Sequence, residues 1–258
     1  MEDAKLIHSE NDPERHSISL EQANEYLSIV ESTHTSTAYA TSLCILSPVC
    51  LLLLSGLSEL KPAPISENVA AGAGLIILFI MVAIAVSIFI SNEKKVHAYQ
   101  FLEKENFVLQ YGVSGMVKDR QEKFRAVYNK YNTMGVVLCI LAVIPIFIFL
   151  MIDENNDMIG IIGVCILLAM VSVGVYFFVN VGCIWGSYEK LLQTGDYTKE
   201  KKNSSWISSV YWLVVTAIFL GYSFITNDWG YSWIIWVVAG VLYPALMALF
   251  HAFQKKNQ

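Results

Sequence analysis

Six stretches of this chain are apolar on every face and long enough to cross a bilayer, at roughly 36–58, 69–91, 133–152, 158–181, 205–226 and 231–253. A helix rises about 1.5 Å per residue, so about 20 mostly apolar residues cover a hydrocarbon core of roughly 30 Å. Inside that core no water is present to bond the backbone N–H and C=O groups, and only helices or closed barrels satisfy them internally. A barrel would show alternating segments of about ten residues. These blocks do not alternate, which predicts helices. Composition points the same way: 55% of the 258 residues are apolar and 15% are charged, against about 25% charged in a soluble domain. That balance excludes a disordered tail, a coiled coil and a typical soluble domain. The stretch before the first span is polar and acidic, the opposite of a secretory leader.

The basic residues give the orientation. Of 17 Lys and Arg, 16 fall on one side of a six-span arrangement, and Lys61 alone falls on the other. The 92–132 loop holds Lys94, Lys95, Lys104, Lys118, Arg120, Lys123, Arg125 and Lys130. The positive-inside rule makes that side the cytoplasm and puts both termini there. The loops on the other side are short and acidic, with Glu59, Glu67, Asp153, Glu154, Asp157 and Asp228. The expected localisation is a cell membrane that the chain crosses several times. Cys44, Cys50, Cys139, Cys165 and Cys183 all lie within or at the inner edge of spans, which argues against a disulfide framework, and none has zinc-ligand spacing.

The expected fold is therefore all-α: a polytopic protein of three helical hairpins over 36–253, an acidic tail over 1–35, a cytoplasmic insert over 92–132 and a cytoplasmic C-terminus over 254–258. The first two hairpins read as a parallel internal repeat. Leu43-Cys-Ile-Leu46 recurs as Leu138-Cys-Ile-Leu141 at an offset of 95, and residues 69–90 align with 158–179 at an offset of 89, with Gly74 on Gly163. Such a repeat would relate the hairpins by a pseudo-axis along the membrane normal. Pro48, Pro145 and Pro244 are expected to interrupt their spans.

Two amphipathic helices are expected on the cytoplasmic side. Over 19–31, Ser19 and Gln22 have the spacing of a capping box, and Leu20, Ala23, Leu27 and Val30 share a face. After a helical continuation of span 2 to about Glu105 and a turn at Gly112 and Gly115, a basic helix follows over 116–132. Its stripe is Met116, Phe124, Val127, Tyr128 and Tyr131. A solvated face obeying the positive-inside rule accounts for its charges, and attraction to anionic headgroups is the alternative.

Motifs for chemistry are sparse. No Asp, Glu, Lys or Arg lies at central depth in a span, whereas ion-driven transporters keep such residues for use. His251 is expected at the inner interface. Ser42, Ser47, Ser55, Ser87, Ser172, Thr216 and Ser223 are expected to bond their own helix carbonyls. No phosphate loop, HExxH or GxSxG is present, so no catalytic residue, metal ligand or cofactor is assigned and an enzyme is not expected. Two features stand out. Gly182 and Gly186 form a small-xxx-small face for close helix packing or for contact with a second copy. The outer end of the third hairpin gathers Tyr222, Asp228, Trp229, Tyr231, Trp233 and Trp236 around the turn Asn227-Asp-Trp-Gly230. An interfacial aromatic belt accounts for these residues, and an aromatic cup with one carboxylate would also suit a cation or an amphiphile.

Several stretches together carry a family resemblance. They are Ile18-Ser-Leu-Glu-Gln-Ala-Asn-Glu-Tyr-Leu27, Leu43-Cys-Ile-Leu-Ser-Pro48, Ile65-Ser-Glu-Asn68, Tyr111-Gly-Val-Ser-Gly-Met-Val-Lys118, Lys190-Leu-Leu-Gln-Thr-Gly-Asp-Tyr-Thr198, Tyr211-Trp-Leu-Val-Val-Thr-Ala217 and Ser223-Phe-Ile-Thr-Asn-Asp-Trp229. From about residue 18 the chain resembles the membrane domain that follows an Xre-type helix-turn-helix in regulators of Gram-positive, chiefly clostridial, bacteria. The resemblance implies a membrane-anchored regulatory module. Met1 falls inside what resembles the linker after the DNA-binding domain, so a module without that domain is expected. The acidic tail would repel a phosphate backbone, which argues against direct nucleic-acid binding. The function expected is that of a non-enzymatic membrane sensor or regulatory module; the alternative is a small permease or transport accessory protein. The expected partners are the lipid bilayer, a separate DNA-binding or signalling protein, and a second copy of the chain.

Overall fold

The structure is a computed structural model that describes residues 16–59, 65–152, 157–227 and 229–256. Its helices in chain order are α1 (Leu20–Glu59), α2 (Glu67–Val96), α3 (Phe101–Lys104), α4 (Val113–Leu141), α5 (Ile144–Ile152), α6 (Asp157–Leu192), α7 (Lys199–Thr226), α8 (Trp229–Ser232) and α9 (Ile234–Lys256). Two short strands, β1 (Ser17–Ile18) and β2 (Val108–Leu109), pair in parallel. The protein is an all-α polytopic membrane protein, with six helical segments long and apolar enough to cross a bilayer. The chain divides into two compact units, Met1–Tyr197 and Thr198–Gln258.

In the first unit α1 packs on α2 and α6, and α6 packs in turn on α4 and α5. The apolar windows of α1 and α6 are 22% buried, against 11% for those of α2 and α4, so α1 and α6 form the middle of a row. The crossings are close because glycines line them. A Cβ on Gly74 would lie 2.8 Å from the Leu51 Cα, and one on Gly135 would lie 2.9 Å from the Gly174 carbonyl oxygen. Gly163, aligned with Gly74, sits against the Cα of Ile146, and Leu51 and Ile146 are themselves 95 residues apart. A Cβ on Gly163 would lie 3.4 Å from that Ile146 Cα, a looser contact than the one at Gly74. A closed two-fold arrangement would also pack α2 on α4 as the counterpart of α1 on α6. Among the described residues α2 and α4 make no packing comparable to that of α1 on α6.

Much of the apolar surface of the spans is bare. Ile76 is 62% exposed, Phe79 65% and Ile140 67%. Such faces are expected of helices solvated by lipid, where apolar burial against protein gains little. The main buried core lies beyond the spans, where α1, α2, α4 and α6 run on past their apolar stretches into a head. Ile18, Tyr26, Leu27, Leu102, Phe107, Val113, Val117 and Leu191 are almost completely buried there. The head faces water, so its stability does come from apolar burial.

Local sequence explains how the head is assembled. The Ser19 N–H donates to Gln22 Oε1 at 3.0 Å and the Gln22 N–H to Ser19 Oγ at 3.2 Å, the reciprocal pair of a capping box. The helix so started does not end at residue 31. It continues unbroken through span 1 to Glu59. Ala23, Leu27 and Val30 are buried as expected, whereas Leu20 is 48% exposed and Tyr26 takes its place in the core. In the same way the basic helix is fused to span 3. It begins at Val113, not Met116, because Gly112 (φ 86) makes the turn and Gly115 lies inside the helix. Of its stripe, Met116 and Phe124 pack on the core, Tyr128 stacks on Trp185 and Tyr131 meets Phe177, while Val127 is exposed. Span 2 passes through a short 3-10 turn at His97–Tyr99 and ends in α3.

Other expectations change in the structure. Pro48 and Pro244 sit within continuous helices. Of the three prolines only Pro145 lies at a break, between Leu141 and Ile144, where proline lacks the N–H that would bond the Leu141 carbonyl. Ser42 and Ser172 bond not their own helices but each other's carbonyls across α1 and α6, at 3.1 and 3.3 Å. Ser47, Ser87 and Thr216 do bond back along their own helices. Ser223 is completely buried, and its hydroxyl has no partner among the described residues. The side chain of His251 lies outside the described residues.

Candidate functional site

In the second unit, α7 and α9 are held by a ladder of rings. Phe219 meets Trp229, Trp233 and Trp236 at centroid distances of 6.2, 6.3 and 5.8 Å. Trp212 stacks on Trp236 at 5.9 Å, and Phe224 meets the edge of Trp229 at 5.2 Å. Asn227 ends α7 in the left-handed region, with φ 54, and α8 follows. The three tryptophans of the expected cup are therefore brought together around Phe219, and Trp229 and Trp233 remain 44% and 67% exposed. Tyr222 and Tyr231 are 49% and 74% exposed and join no ring pair among the described residues. Asp228 lies outside the described residues. The glycine face expected at Gly182 and Gly186 is not a close crossing within the chain, since a Cβ at either would meet nothing within 4 Å.

A different site emerges where the head joins the spans. Tyr26, Val30, Thr33, His34 and Thr37 recur at helical spacing on α1. Phe89, Asn92, Glu93 and Val96 do so on α2, and Cys183 and Lys190 on α6. The three faces enclose a cavity of about 320 Å³, within the size range of small-molecule sites, roughly 300–1,000 Å³. A neighbouring cavity of about 290 Å³ shares His34 and is lined by Phe124, Tyr131, Tyr176, Phe177 and Asn180 among others.

Hydrogen bonds fix the polar wall of the first cavity. The Ser36 and Thr37 hydroxyls both donate to the Thr33 carbonyl, at 2.9 and 3.0 Å. Only lone pairs remain on those oxygens, so they must accept. Asn92 Nδ2 supplies both hydrogens, at 2.9 Å to each. This assigns the amide orientation and leaves Asn92 Oδ1 without a donor among the described residues. His34 Nδ1 lies 2.7 Å from the Glu31 carbonyl, so Nδ1 carries the proton, and Nε2 accepts from Thr35 at 3.1 Å.

The head side of the cavity holds its charge. Lys190 pairs with Glu103 and lies 5.3 Å above the Tyr197 ring. Burial disfavours its charge, but Tyr26, Glu103 and Tyr197 outweigh this and hold its pKa above the usual lysine value. Tyr26 is 2% exposed and makes no hydrogen bond to a described residue. Desolvation pushes its hydroxyl up to about 12, so it stays protonated and able to donate. Tyr99, which also lies in the head, donates to Glu25 at 2.9 Å. The Cys183 thiol is likewise pushed up by burial.

Sequence reasoning placed none of these residues at a site. The available signal was Asn92, a buried amide at the end of an apolar run, opposite the Thr33, Ser36 and Thr37 cluster. No protein-family model, curated protein or solved structure matches the chain.

Proposed function

We propose that the chain is a non-enzymatic sensor or regulatory module of a bacterial plasma membrane, with its head and both termini in the cytoplasm. The observation that carries this reading is the continuity of α1. One helix begins in the core of the head, lines the junction cavity with five side chains and runs on to Glu59. A ligand or a change in the bilayer that shifts span 1 must therefore shift the head. The parallel clamp is what that motion would reach. Val108 N–H donates to the His16 carbonyl and Gln110 N–H to the Ile18 carbonyl, each at 3.0 Å. Ile18 anchors β1 in the core at 2% exposure, while a two-residue ladder is marginal by itself. The tail before β1 is thus tied to a releasable element, as a module that passes a signal to a DNA-binding or signalling partner requires. The family resemblance supports the same reading.

The test combines exchange and capture. Hydrogen exchange at Val108 and Gln110 should change with membrane composition in reconstituted protein. Crosslinked full-length protein taken from its native membrane should carry a DNA-binding or signalling protein that Ile18→Asp releases. Constant exchange and no such partner would contradict the proposal. Solute flux through liposomes holding the purified chain would instead favour the permease reading.

A further inference from the structure

We infer that the junction cavity binds an ammonium–phosphate zwitterion, the chemistry of a phosphoethanolamine headgroup. Opposite walls carry complementary groups. On α2, Asn92 Oδ1 has no donor among the described residues, and the Glu93 carboxylate stands beside it on the same cavity wall. Both oxygens accept, and both suit a primary ammonium with three N–H donors. On α1 and α6, the Tyr26 hydroxyl is unpaired in an almost wholly buried side chain, and Lys190 keeps donors beyond the one given to Glu103. Both suit a phosphate oxygen. Val30, Phe89 and Val96 add apolar lining that suits the two methylenes separating nitrogen from phosphate.

The Tyr26 side chain lines the cavity and its hydroxyl makes no hydrogen bond to a described residue, so a ligand phosphate oxygen would accept from it. Glu93 Oε1 accepts from Gln100 Nε2 at 3.4 Å, which leaves its other oxygen and Asn92 Oδ1 for the ligand; a singly charged anion offers them no donor, and a quaternary ammonium has no N–H to give them. The cavity also lies where α1, α2 and α6 leave their apolar stretches, the depth of a headgroup. A phospholipid of the facing leaflet and soluble phosphoethanolamine share this chemistry.

The inference rests on reading the junction as the sensing site, but binding is measured separately from the response of the clamp. Delipidated full-length protein in detergent would be titrated, by native mass spectrometry, with phosphatidylethanolamine, phosphatidylcholine, phosphatidylglycerol and, in a separate arm, soluble phosphoethanolamine. The ethanolamine lipid should bind at least about tenfold tighter than the other two, the cost of a lost charge-assisted hydrogen bond. Tyr26→Phe and Glu93→Gln should each weaken it by about tenfold, while Lys130→Gln should not. Comparable binding of soluble phosphoethanolamine would support the same chemistry and name the free source. Should Tyr26→Phe fail to fold, Glu93→Gln, at an exposed position, still decides the matter. Equal binding of the choline and ethanolamine lipids, no binding in either arm, or full affinity in Glu93→Gln would overturn the inference. Selective binding without any change in exchange at Val108 and Gln110 would uphold the ligand and remove the sensor reading.

Discussion

Asn92 and the crossing glycines show how few side chains set the geometry of the first unit. Asn92 ties α2 to α1 through two hydroxyls that can only accept, so Asn92→Leu removes both bonds at once. About 1–3 kcal/mol of stability should be lost, measurable by thermal unfolding in detergent against wild type. The glycines divide sharply. A side chain at Gly74 would press on the Leu51 backbone, which cannot rotate away, and Gly74→Val should cost about 1–3 kcal/mol through overpacking. Gly182→Ala and Gly186→Ala should leave stability unchanged or raise it by up to about 1 kcal/mol, since alanine favours helix and nothing is met. The same thermal assay separates the two sets. The sequence shows a GxxxG spacing at Gly182 but cannot show which face of α6 meets a neighbour. Gly74 was read as part of a repeat, and its closeness to Leu51 depends on how two helices cross. The outer tryptophans were legible as a cluster; that Phe219 would sit among them was not, because it lies outside the turn that gathers them.

At the scale of elements, the start of α1 was legible and its continuation past residue 31 was not. The capping box at Ser19 and Gln22 is a short-range signal and is present as read. Its loss in Ser19→Ala should cost about 1 kcal/mol and speed hydrogen exchange in the first turn of α1, at Gln22 and Ala23. Fusion of the amphipathic helices to the spans was hidden because no proline or glycine lies at residues 32–35 or 129–134. Amphipathic and all-apolar patterns follow one another without a stop signal, so one helix carries both. The continuity of α1 has a mechanical consequence. Inserting two glycines after His34 should leave the head and the spans folded but uncouple them, so exchange at Val108 no longer follows membrane composition. Unchanged coupling in that variant would argue against transmission through α1. The junction cavity lies beyond any reading of single elements, because it needs faces of three helices separated by up to 164 residues, from Tyr26 to Lys190.

The whole molecule is organised by two solvents. Where lipid surrounds the helices, apolar faces stay bare and packing is achieved by glycine contacts and the Ser42–Ser172 exchange. Where water surrounds the chain, apolar side chains collect into the head. Hydropathy and the segregation of charge made this division legible, since both are sums over many residues and tolerate local error. The proposed orientation, with the head in the cytoplasm, is the claim on which sensing, partner access and headgroup leaflet all depend. It is tested most directly by single cysteines, in a background lacking the native ones, labelled in intact cells with a membrane-impermeant thiol reagent. Cysteine at Glu67 or Asp153 should react without lysis, and cysteine at Lys123 should react only after it. Labelling of Lys123→Cys in intact cells, with Glu67→Cys and Asp153→Cys protected, would contradict the account.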